Sequence, residues 1–311
     1  MDVSVILCTY NRCQLLGRSL ESFRRQITPP GLAWELLVVD NNCSDATPEL
    51  LREASRRFTG KLRFVREEKQ GLSHARNRGI REAKGQYLLF TDDDTEPAST
   101  WIAEIWKTFT ARKCDAVAGK IELRWECAKP SWMVDELLGF LAQVDYGNDE
   151  HALETAERPP IGANMAFRAS VFDRIGNFDV ELGRKGKALV GGEEIELFDR
   201  FLKSGLVALY QPNAVIYHSV DRDRVHKRYF RMLHFNNGKV SGLRYKGMGR
   251  QLAGVPLFTL PQTARMIARY LRTVWEKGVV HSLRQEMNVW YSLGFITGCV
   301  RRKSSVPGRT S

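Results

Sequence analysis

Short, continuously apolar runs alternate with helical segments over the first hundred residues, and this alternation constrains the fold more than any other feature. VSVILCTY (3–10), ELLVVD (35–40), LRFVRE (62–67) and QYLLF (86–90) read as strands. Between them, Leu15, Leu16, Leu20 and Phe23 fall near helical spacing, with Pro29-Pro30-Gly31 expected to end that helix. DNNCSDATPEL supplies a turn and a helix start with Pro48 suited to a first turn, and HARNRGIREAKG (74–85) reads as a helix stopped by a glycine. Strands that are apolar throughout need cover on both faces, which implies βαβ units and a parallel sheet. Open sheets of this kind bind ligands beyond the carboxyl ends of their strands. Three polar clusters end these strands: Thr9-Tyr10-Asn11, Asp40-Asn41-Asn42 and Asp92-Asp93-Asp94. All three are expected at one edge of the sheet.

Beyond residue 98 the pattern is mixed. WIAEIWKTF (101–109) reads as a helix and AVAGKIELRW (116–125) as a long strand, followed by an irregular stretch over 126–160. GANMAFRASVF (162–172) and VALYQPNAVIYH (207–218) read as strands on either side of a helix, IELFDRFLKSG (195–205), and basic helical segments occupy the rest. A chain of 311 residues can bury one large core, or a domain with an appendage. No run approaches the roughly 18 uninterrupted apolar residues of a spanning helix. The start, MDVSVILCTYNR, has neither the basic opening nor the long apolar run of a signal peptide. The six cysteines are scattered, which argues against a disulfide framework or a zinc site and for reduced thiols. A cytoplasmic protein is expected.

Charge is unevenly spread. Residues 222–311 carry 18 Lys/Arg against 3 Asp/Glu, whereas the chain before them is mildly acidic. Such asymmetry suits a polyanionic partner, either membrane headgroups or nucleic acid; a solvated basic face is the plainer alternative. A nucleic-acid-binding protein would leave Asp92, Asp93 and Asp94 unexplained, since carboxylates repel a phosphate backbone.

Helix capping or a solvated loop would account for one aspartate behind LLF. Three in a row point to a hard divalent cation, Mg²⁺ or Mn²⁺, and such an ion usually shares its coordination with substrate phosphates. A nucleoside diphosphate is the implied ligand. GGEEIELFDR sets Glu193 and Glu194 beside Gly191-Gly192; acids at a helix start favour its dipole, and one of the pair can also serve as a general base. His218 ends AVIYH, a position where a lone histidine is ordinarily a packed or surface residue. A nucleotidyltransferase is the alternative enzyme class. It would want a glycine-rich, lysine-bearing phosphate loop after the first strand, and CTYNRCQLL contains no glycine.

Six stretches occur in order over residues 3–218: VSVILCTYNR, VVDNNCSD, GLSHARNRGIREAKGQYLLFTDDD, GANMAFR, GGEEIELFDRFLKSG and VIYHS. On these the chain resembles family 2 glycosyltransferases. The resemblance implies an α/β chain of GT-A type, with a mainly parallel mixed sheet flanked by helices and a basic helical C-terminal extension. It divides the chain into a glycosyltransferase domain over 1–221 and a basic helical region over 222–311. The first domain would bind nucleotide with residues 1–97 and acceptor with 98–221. The implied reaction moves a sugar from a nucleotide-diphosphate donor to a glycan, lipid-linked or polysaccharide hydroxyl, with inversion. By the family pattern Asp92 and Asp94 are the paired acids of the DxD motif, with Asp94 on the metal, Asp92 near the ribose or metal-bound water, and His218 completing the metal sphere. Asp40 matches the acid that hydrogen-bonds the base. Thr9, Tyr10, Asn11, Arg12, Asn42 and Asp93 line the nucleotide-sugar cleft, and Arg76 is expected on the pyrophosphate or base.

The family's base motif usually reads Glu-Asp, so Glu194 takes the base position one methylene longer, with Glu193 as support or substitute. The QxxRW motif of processive relatives is absent. TARMIARYLRTVW (263–275) reads as a basic amphipathic helix, expected either on an anionic membrane surface or packed against the domain. A peripheral place on the inner membrane face follows from the resemblance, with no nucleic-acid partner.

Overall fold

In the computed structural model, residues 1–58, 61–155, 157–186, 191–247 and 249–304 are described. The elements run β1 (Val3–Thr9), α1 (Cys13–Arg24), β2 (Trp34–Asp40), α2 (Thr47–Arg57), β3 (Leu62–Arg66), α3 (Leu72–Glu82), β4 (Tyr87–Asp92), β5 (Thr95–Pro97), α4 (Trp101–Ala111), β6 (Ala116–Trp125), β7 (His151–Ala152), β8 (Met165–Arg168), α5 (Ser170–Ile175), α6 (Glu193–Lys203), β9 (Ala208–Val220), α7 (Lys227–Arg244), α8 (Thr259–His281) and α9 (Leu283–Ser304). The chain forms two compact units. One holds residues 1–124 with 142–219, the other residues 125–141 with 220–311, of which 305–311 lie outside the described residues.

The first unit is built on a mixed sheet in the order β3-β2-β1-β4-β8-β6-β9-β5, with β7 added to β9. Strands β3, β2, β1 and β4 run parallel, and β8 turns the sheet antiparallel. Every residue of β1 and β2 is buried. The pleat sends Val3, Val5 and Leu7 into one apolar cluster with Leu36, Val38 and Leu89, and Ile6 into a second with Val39, Leu88 and Phe90. Both faces are therefore covered, and this is why the strands show no polar alternation. Helix α3 lies so close to β1 that a Cβ on Gly79 would stand 2.4 Å from Cγ2 of Ile6. Register aligns Thr9 with Asp40 and Cys8 with Asp92, so the polar clusters share one edge as expected.

Two expected elements differ. Helix α1 stops at Arg24, before the Pro29-Pro30-Gly31 group. The stretch 162–172 is not one strand but a 3₁₀ turn, strand β8 and helix α5 in succession. The fully buried Asn164 explains the first break. Its amide donates to the carbonyls of Lys120 and Ala214, 2.8 and 2.7 Å away, and its oxygen accepts from Trp101 Nε1 at 2.8 Å. Extended pairing begins only after that anchor.

In the second unit α7 and α9 meet backbone to backbone. A Cβ on Gly238 would come within 1.9 Å of the Tyr291 carbonyl, and one on Gly294 within 2.0 Å of the Phe235 carbonyl. Gly242 and Gly298 repeat the arrangement one turn on, making two facing small-residue seams.

Candidate active site

The site forms where β1, β2 and β4 end. Thr9 donates its hydroxyl to Asp93 Oδ2 at 2.8 Å. After it the chain turns through Asn11 in the left-handed region, φ 52°, a conformation asparagine tolerates. This turn sends Arg12 back over the strand ends, where its Nη1 donates to Asp93 at 3.2 Å and Asp94 at 2.9 Å. Asp93 and Asp94 are both buried. Burial pushes Asp93 up to about 6, with Arg12 opposing the rise and Asp94 adding to it. His218 comes from β9 and sets Nε2 3.4 Å from Asp94 Oδ1.

A second cluster surrounds Arg76 of α3. Its guanidinium is almost wholly buried and donates to Glu193 at 3.0 Å, to Glu194 at 3.2 Å and to Asp92 at 3.5 Å. Burial opposes its charge, but Glu194, Asp92 and Glu193 together hold it protonated above the ordinary arginine range. Glu194 keeps 19% of its side chain exposed and also accepts from the Gly162 N–H at 2.9 Å. Burial first, then the neighbouring Glu193, lifts the Glu194 carboxyl to about 7, against the pull of Arg76. Glu193 is the more buried of the two, tied by Oε1 to Arg76. Glu194 thus combines a partly exposed carboxyl with a pKa raised toward neutrality.

Asp40 is buried and accepts the Cys43 N–H at 2.7 Å, so its turn-forming role is real. Asn11 accepts from the Ser44 N–H at 2.7 Å, which joins the first and second strand ends. Asn42, also left-handed at φ 63°, is exposed and accepts from Arg66. Tyr10 is half-buried at the end of β1. Cys8 and Cys43 lie behind these groups with thiols that burial pushes up to about 12. They stay neutral at ordinary pH.

The structure thus brings Thr9, Arg12, Asp93, Asp94 and His218 together, and separately Arg76, Asp92, Glu193 and Glu194. Arg76, expected on the pyrophosphate or base, stands as a buried counter-ion among three carboxylates. Asp92 turns to Arg76 rather than to His218, and no cluster of three metal-ligating side chains occurs among the described residues. The donor set still fits a hard divalent ion. A buried carboxylate stands beside an imidazole, and the acid cluster already draws a cationic group, Arg12, to itself. Two further contributors lie in stretches singled out in the sequence but were given no role of their own there. Gly162 leaves no room for a side chain, since a Cβ there would lie 1.9 Å from Arg76 Nη2 and 2.2 Å from Glu194 Oε1. Asn41 fixes the loop before α3 by donating to the Lys69 carbonyl and accepting from the Gly71 N–H, both at 2.8 Å.

Comparison with known proteins bears on the family and the fold. The chain is 27% identical over 226 residues to the glucosyl-dolichyl phosphate glucuronosyltransferase of Haloferax volcanii, covering 71% of this chain and 70% of that one. It is 23% identical over 301 residues to the succinoglycan biosynthesis protein ExoM of Rhizobium meliloti, covering 91% and 93%. Among solved structures it resembles the mannosyltransferase PcManGT from Pyrobaculum calidifontis in complex with GDP-Man and Mn²⁺. The TM-score is 0.60 at 19% identity, over 96% of this chain and 86% of that one. The fold is GT-A, a mixed sheet flanked by helices with a helical C-terminal region. The family model for Glycosyl transferase family 2 matches residues 4–176, and the chain is a glycosyltransferase of that family.

Proposed function

We propose that the enzyme transfers a sugar from a nucleotide-diphosphate donor to a hydroxyl of a glycan, lipid-linked or polysaccharide acceptor, in one displacement that inverts the anomeric carbon. Thr9, Tyr10, Asn11, Arg12, Asp40, Asn42 and Asp93 belong to the nucleotide side, with Asp92 near the ribose. Asp94, Asp92 and His218 would hold Mn²⁺ or Mg²⁺, which when bound would neutralise charge growing on the departing diphosphate. Glu194 accepts the acceptor's hydroxyl proton while that oxygen bonds to the anomeric carbon. The bond from that carbon to the diphosphate breaks, and its electron pair leaves with the nucleoside diphosphate. Arg76 keeps its place between the acidic strand end and the base.

One observation carries this reading. A single buried guanidinium binds both the DxD residue Asp92 and the base candidate Glu194, joining the donor motif and the proton acceptor in one hydrogen-bonded cluster. The basic C-terminal helices are the part of the chain read as meeting an anionic membrane surface on the cytoplasmic side. Glu194→Gln tests the assignment of the base. Nucleotide binding should survive, while kcat falls by about a hundred- to ten-thousand-fold. An active Glu194→Gln beside a dead Glu193→Gln would transfer the role to Glu193.

A further inference from the structure

Helix α8 carries three distinct faces, of which only one is used inside its own unit. Its buried residues are Thr259 and Thr263, and Thr263 meets Ser292 of α9 through their hydroxyls at 2.5 Å. Leu260, Ile267, Leu271 and Trp275 are spaced by seven, four and four residues, which places them on one stripe, and all four are exposed. Trp275, 87% exposed, is the extreme case, and Leu257 and Phe258 extend the exposed apolar surface just before the helix. Arg265, Arg269 and Arg272 share the third face, on the far side of the stripe from the α9 contact. The only acid of α8, Glu276, is bound to Arg272 at 2.7 Å. Gly278, at φ 82° and ψ 168°, breaks the helix directly after this pattern.

We infer that α8 lies in the plane of an anionic lipid surface, with the Leu260–Ile267–Leu271–Trp275 stripe inserted among the acyl chains and its arginines at the headgroups. The inference rests on the reading of the basic C-terminal region as membrane-facing and specifies how that contact is made. The helix lies on the membrane rather than across it, since no helix among the described residues is long and apolar enough to span. An apolar stripe flanked by arginines fits an interface where lysine and arginine stems reach from hydrocarbon to phosphate. A second copy of the chain is a poorer occupant. Pairing two α8 stripes would bring two rows of arginines into proximity with one acid apiece to offset them.

The test is binding of the full chain to phosphatidylglycerol–phosphatidylcholine vesicles and to pure phosphatidylcholine vesicles, with acyl chains brominated near the headgroup in a parallel set. Bromolipid should quench a fluorescence component that Trp275→Phe removes. Leu271→Asp should weaken partitioning roughly tenfold or more without changing the melting temperature, because Leu271 is exposed. Arg265→Gln with Arg269→Gln and Arg272→Gln should cost roughly a hundredfold on anionic vesicles and little on neutral ones. Binding that salt reverses fully, that Leu271→Asp leaves intact and that shows no Trp275-dependent quenching would overturn the insertion while leaving the membrane-facing reading standing. Absence of binding to anionic vesicles would overturn both. Dimerisation abolished by Leu271→Asp would overturn the insertion alone and make a second copy the occupant of the stripe.

Discussion

At the scale of single residues the proposed chemistry rests on Arg76 and Glu194. The carboxyl of Glu194, raised to about 7 by burial and by Glu193, would serve as the proposed base only once pH rises through that value. Transfer rate should therefore climb along an acid limb centred near pH 7. A limb near 4.5, the ordinary glutamate value, would mean that Glu194 is not the titrating base. The same shift fixes a sign for stability. A carboxyl whose folded pKa exceeds its unfolded one is bound to its proton more tightly in the native state. Its contribution is intact below about 4.5 and is lost as pH rises to about 7, with a slope of at most about 1.4 kcal/mol per pH unit. Glu194→Gln should remove that loss, so the variant should gain stability over the wild type between those limits while losing activity. Parallel stability curves across that range would contradict the assigned environment. Arg76→Lys should cost activity through geometry rather than charge, because one ammonium cannot reproduce a fork shared by three carboxylates.

Elements explain what could and could not be read in advance. The strands of the parallel half were legible because burial on both faces leaves continuous apolar runs, and their register follows from packing Ile6, Val38 and Phe90 into opposite clusters. The break at 162–164 was not legible. It depends on Asn164 reaching carbonyls 44 and 50 residues away, and no local spacing encodes that. The ion pairs of Arg76 were not legible for the same reason: its partners Glu193 and Glu194 lie 117 and 118 residues away, and only the folded sheet edge brings them in. Asp40 could be read both as a turn former and as a nucleotide ligand. The turn bond to Cys43 is present, and ligand binding by the same side chain remains a proposal. Close helix–strand contact yields a stability prediction. Gly79→Ala forces a methyl against Ile6 and should cost about 1–3 kcal/mol in denaturant unfolding. An unchanged midpoint would show that α3 moves away from β1 without penalty.

The whole chain divides its charge unevenly. An acidic residue cluster ends the parallel strands, and the surplus of basic residues follows residue 222. The family rests on a match over more than half the chain. The central claim is that Asp94, Asp92 and His218 serve a metal-assisted nucleotide cleft. Calorimetric titration of the full chain with UDP, GDP, dTDP and CDP, each with Mn²⁺ and again after EDTA, tests that claim most directly. One nucleotide should bind well with Mn²⁺, and EDTA or Asp94→Ala should remove most of that affinity. Equal affinity with and without the metal would contradict the metal assignment, and no binding of any of the four would contradict the nucleotide cleft itself.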